Sequence, residues 1–83
     1  MDLHTPFEIT LRGNILQVKP KKFGRDWVFI VHFPGATPPI MITKACRQEG
    51  GSFWTSIPEG RQREAEEIGP FITLHYKNVV LAS

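Results

Sequence analysis

The 83-residue sequence holds a single cysteine, which excludes an internal disulfide framework and fits a reducing compartment. It has no apolar run near the roughly 18 residues of a membrane-spanning helix. Its start, Met1-Asp2-Leu3-His4-Thr5-Pro6, does not read as a signal peptide. A cytoplasmic domain without a membrane partner is the expectation. Internal repeats, low-complexity tracts and linkers are also lacking, so the chain reads as one small domain over 1–83.

Catalytic constellations are equally scarce. The soft metal ligands are His4, His32, His75 and Cys46, and none stands at ligand spacing from another, so neither a metal site nor a cofactor is expected. Cys46 lies beside Arg47 with no His or carboxylate placed to complete a dyad, and is expected to be a small buried core thiol. Gly50-Gly51 lacks the following Lys and helix of a phosphate-binding loop. Glu64, Glu66 and Glu67 read as a solvated helix face rather than an acid/base pair. The expectation is a non-catalytic domain.

What is present suffices for a core. Hydrophobic residues make up 41% of the chain and charged residues 22%, a globular balance. Net charge is only +2, but it is unevenly spread. Residues 1–47 hold seven basic and three acidic side chains, and residues 48–83 hold three and five, which predicts a basic and an acidic face.

Alternation marks the strands. Phe7–Arg12 and Ile15–Lys19 flank Gly13-Asn14, which predicts a hairpin turning at those two residues with Ile9 opposite Val18 and Glu8 opposite Lys19. Lys21–Asp26 reads as a loop. Trp27–Phe33 follows as a third strand, apolar on both faces and therefore central. Pro34–Pro39 is a stiff loop, Ile40–Ala45 a fourth strand, Arg47–Ser52 a turn, and Phe53 to Thr55 or Ser56 a short fifth strand.

The period then lengthens. Ser56 and Glu59 have capping-box spacing, and Ile57, Arg61, Ala65, Ile68, Ile72, Tyr76 and Val79 form a helical stripe with Arg63 and Glu67 paired on its polar side. Gly69-Pro70 interrupts it. The expectation is a kinked or two-part helix, with a short helix followed by a strand over Phe71–Tyr76 as the alternative. The fold class is thus α+β, an antiparallel meander of four to five strands with one C-terminal helix on one face.

One segment carries a binding signature. Lys19, Lys21, Lys22 and Arg25 are interleaved with Phe23 and Trp27, which suits phosphate neutralisation combined with base stacking. The alternative is a solvated loop with Trp27 buried and Phe23 over the sheet end. Lys44 and Arg47 would extend the patch if the fourth strand ends nearby. A second surface is the face of the third strand that the helix leaves uncovered, which would expose either Trp27 and Phe29 or Val28 and Ile30 unless the sheet curls into a barrel.

The layout, with Phe53-Trp54-Thr55-Ser56-Ile57-Pro58-Glu59-Gly60-Arg61 leading to Glu67-Ile68-Gly69, resembles short bacterial proteins of unknown function. In topology it is similar to one PUR-type repeat, a ββββα unit that binds single-stranded nucleic acid, usually as paired repeats. That resemblance is one of layout and transfers no binding residue. The functional expectation is a homodimeric domain binding single-stranded nucleic acid or another polyanion. The alternative is a protein-interaction module that uses the free sheet face or edge.

Overall fold

The computed structural model describes residues 5–58 and 60–82, with helix side chains described as far as residue 78. His4, Glu59 and the side chain of Val79, each singled out above, lie outside the described residues. The elements in chain order are β1 (Phe7–Leu11), β2 (Asn14–Phe23), β3 (Asp26–His32), β4 (Ile40–Cys46), β5 (Ser52–Ile57) and α1 (Gln62–Ala82). The strands pair in sequential antiparallel order, and α1 covers one face. The expected α+β meander and C-terminal helix are what the chain forms.

The first hairpin turns one residue earlier than expected, at Arg12-Gly13. Arg12 (φ 52°) and Gly13 (φ 80°) both adopt left-handed backbone, the type I′ pattern that matches strand twist and favours Gly second. Ile9 therefore faces Leu16, and Val18 faces Phe7. The slip amounts to two residues along the partner strand, so every side chain keeps its expected face. Ile9, Leu16 and Val18 are all in the core.

The expected Lys21–Asp26 loop is instead sheet. β2 continues to Phe23 and returns through Gly24-Arg25, with Gly24 at φ 61°. Among the described residues β1 accompanies β2 only to Val18, so Pro20 and the lysines stand where β2 is flanked by β3 alone. A missing N–H is tolerated there, and charged side chains discourage further pairing.

Side chains of alternating parity divide the sheet. Ile9, Leu16, Val18, Phe29, Val31, Ile40 and Ile42 form the core with Ala65, Ile68 and Ile72 of α1, and Trp27 and Trp54 pack against it. Trp27, Phe29 and Val31 face the helix, while Val28, Ile30 and His32 lie on the other face, where Val28 is buried rather than exposed and Ile30 is half-buried.

The helix starts later than the capping-box spacing implies. Ser56 lies on β5, where its Oγ accepts from the Arg61 N–H (3.2 Å) and donates to the Pro58 carbonyl (3.1 Å). The first helical bond runs from the Ala65 N–H to the Arg61 carbonyl, and Ile57 belongs to β5, not the stripe. α1 passes through Gly69-Pro70 as one uninterrupted helix, so no strand forms over Phe71–Tyr76. An interior Pro costs about 3 kcal/mol. Ile68 and Ile72, each 1% exposed, flank it and offset that cost at about 1.5–3 kcal/mol apiece.

Two contacts fix the helix on the sheet. Gly69 is buried against Trp54, whose indole fills the space a Cβ would need. The Gln62 Nε2 donates to the Trp54 carbonyl at 2.6 Å and so closes part of the β5 edge. At the helix start Arg61 donates to both Glu64 carboxylate oxygens (2.9 and 2.6 Å) and to the carbonyls of Pro38 and Pro39 (3.0 Å each), tying the proline loop down. Glu67 pairs with Arg12 across to the hairpin rather than with Arg63.

Candidate functional site

Antiparallel register decides which basic residues meet. The β2–β3 turn at Gly24-Arg25 and the β4–β5 turn over 47–51 lie at the same end of the sheet. Lys21, Lys22, Arg25, Lys44 and Arg47 therefore gather there with Phe23, Trp27, Phe53 and Trp54. The acidic first half of α1 lies towards the other end, where Glu67 reaches Arg12 of the first hairpin. The charge asymmetry of the sequence thus becomes a polarity along the strands.

Strand alternation splits the six residues predicted as one patch. Lys19, Lys21 and Phe23 project from the open face, Lys22 and Trp27 from the helix face, and Arg25 sits in the turn between them. Lys21 Nζ lies 5.4 Å from the Phe23 ring centroid and Lys22 Nζ 6.0 Å from that of Trp27. Each lysine thus has an aromatic partner on its own face.

On the helix face the row continues across the sheet. Lys22 pairs with Trp27 and Lys44 with Trp54, and extending the β3–β4 register one residue past the Val28–Thr43 pair brings Trp27 beside Lys44. Lys44 Nζ stands 5.6 Å from the Trp54 centroid. Lysine and tryptophan thus alternate over four adjacent strands. The lysines are exposed and the indoles half-buried. Beside this row, where Ile72, Thr73 and Tyr76 of α1 face Trp27 and Trp54, is a groove of about 340 Å³ that Arg25 and Lys44 also line. Asp26 is the one carboxylate among its lining residues.

The Trp54 indole is held from behind, and the Trp27 backbone is tied to β4. Trp54 meets the Phe29 ring edge-on at 5.8 Å and packs on Gly69. The Trp27 carbonyl accepts from Thr43 Oγ1 at 2.8 Å. Cation–π pairing of this kind contributes about 0.5–1 kcal/mol at exposed sites, enough to bias a lysine towards its ring without removing it from solvent.

The sequence marks Lys44 only conditionally and Trp54 only as part of the short fifth strand. The signal that joins them is the Gly50-Gly51 turn, whose closure sets Lys44 opposite Trp54. Arg47, 5.0 Å from the Phe53 centroid, extends the basic end as anticipated.

The remaining chemistry-bearing residues are dispersed. Cys46 is exposed at the end of β4 rather than buried, because it is the last β4 residue paired before the 47–51 turn. His75 is half-buried and stacked on Phe7, and burial lowers its pKa below the usual histidine value. The Arg61 guanidinium, hydrogen-bonded to Glu64, holds that carboxyl below its ordinary pKa. Among the described residues no group of three or more His, Cys, Asp or Glu could hold a metal ion, and no helix is long and apolar enough to cross a membrane.

No family model, curated protein or solved structure matches this chain. The sheet has five strands, one more than the PUR-type unit to which the sequence layout was likened.

Proposed function

We propose that this domain binds single-stranded nucleic acid at the basic end of the sheet, on the face that also carries the helix. The observation behind this reading is the Lys22–Trp27–Lys44–Trp54 row with its adjoining groove. Stacking on an indole is tolerant of base identity, because every base has a π-face, and cations spaced between the rings suit phosphates between successive bases. Double-stranded nucleic acid would keep its bases paired and inaccessible to such a row.

Roles divide accordingly. Trp27 and Trp54 are the stacking surfaces, and Lys22, Lys44 and Arg25 neutralise phosphate. Lys19 and Lys21, on the opposite face, contribute only long-range attraction, and Phe23 beside them takes no part.

The test is an anisotropy titration with labelled single-stranded DNA and RNA at about 50 and about 200 mM salt. Three or four neutralised phosphates imply a logarithmic salt slope of about −2 to −3, hence about 20- to 50-fold weaker binding at the higher salt. Lys22→Ala and Lys44→Ala should each lower the slope by about 0.7. Equal loss from Lys19→Ala and Lys21→Ala would move the site to the open face.

A further inference from the structure

The open face of the sheet is built differently from the face just described. It is made of the pairs Phe23–Asp26 and Ala45–Phe53 at the basic end, then the cross-strand rows Lys21–Val28–Thr43–Thr55 and Lys19–Ile30–Met41–Ile57. Phe23, Met41 and Ile57 stand around the smaller Val28, Thr43 and Ala45. The result is a trough of about 660 Å³ floored by Val28, Thr43 and Ala45. Phe23 (47% exposed) and Ile57 (41% exposed) rise at diagonally opposite corners, and no helix covers them.

We infer that this face is the interface of a homodimer in which Phe23 of each copy enters the trough of the other. Two features favour a second copy as the occupant. First, one surface carries both the knob and the hole, which is the self-complementarity a two-fold interface requires. Second, the area suffices. Five strands about 4.8 Å apart and about six residues long span roughly 24 by 20 Å, so two faces bury about 1,000 Å² together, the minimum for a biological interface and the size of a reversible one. Lys19 and Lys21 on one side and Glu8 beyond them form a polar rim, as interfaces of this kind have. The dimer would leave both helix faces and both lysine–tryptophan rows outward, so it depends on no part of the nucleic-acid reading.

Sedimentation equilibrium over a concentration series, without nucleic acid, tests it. The expected result is a reversible transition from 9.5 kDa to twice that mass. Met41→Lys and Phe23→Ser should each weaken association at least about tenfold while circular dichroism stays native, since neither side chain contacts the helix-side core. Leu74→Lys, at an exposed helix position (51%), should leave association unchanged. A monomer at every concentration overturns the inference. So does a dimer that Leu74→Lys disrupts and the two sheet variants do not.

Discussion

Trp54 occupies the space that a side chain on Gly69 would need, so the ring and the helix backbone meet without an intervening Cβ. This relationship links the fold to the candidate site, because the same indole ends the lysine–tryptophan row. Gly69→Ala gains about 1 kcal/mol of helix propensity but forces the ring or the helix to move, and overpacking of this kind costs about 1–3 kcal/mol or more. The expected outcome is net destabilisation in urea denaturation, with a changed tryptophan emission spectrum. An increase in stability would show that the ring yields freely.

Pro70 acts in the opposite direction. It is exposed on α1, and its ring nitrogen cannot donate to the Glu66 carbonyl one turn earlier. Pro70→Ala should therefore stabilise the protein by about 1–3 kcal/mol, read as a higher denaturation midpoint with an unchanged slope.

Arg61 joins the helix start to the proline loop through Glu64, Pro38 and Pro39, with its guanidinium 5.5 Å from the Phe33 centroid. Arg61→Ala should cost about 1–3 kcal/mol, and Arg61→Lys should recover only part, since lysine cannot reproduce the paired bonds to the carboxylate. Because Glu64 titrates below its unfolded value, its contribution is intact above that value and is lost as acid protonates the folded carboxyl. Glu64→Gln should flatten the acid limb of a stability–pH curve.

The Phe7–His75 stack has centroids 3.7 Å apart and rings 3° from parallel. Burial lowers the His75 pKa, so the unfolded chain binds this proton more readily than the folded one. Stability should hold above about pH 6.5, the unfolded histidine value, and decline below it until the folded imidazole is itself protonated. Denaturation midpoints at about pH 7.5 and pH 5.5 check this, and His75→Gln should reduce the difference.

Local rules were enough for some elements and not for others. Alternation set the faces of Ile9, Leu16 and Val18 correctly because a two-residue slip preserves parity, yet it could not choose between Arg12-Gly13 and Gly13-Asn14 as the turn. Lys21–Phe23 resembled a loop because its charge and the preceding Pro20 mimic one; its strand conformation comes from pairing with β3 beyond the end of β1. Helical period carried through Pro70 because Ile68 and Ile72 anchor both sides of it. The candidate site was half legible. Lys22 and Trp27 are close in sequence, but Lys44 and Trp54 join them only through pairing across four strands.

The most direct test of the central claim is tryptophan emission during titration with oligodeoxythymidylate. If Trp27 and Trp54 carry the bases, emission falls saturably. The quench should weaken as salt rises from about 50 to about 200 mM, and Trp27→Phe should retain only the Trp54 share. Emission that stays constant while an end-labelled oligonucleotide shows binding would contradict stacking on this row, and absence of binding at the lower salt would contradict the account as a whole.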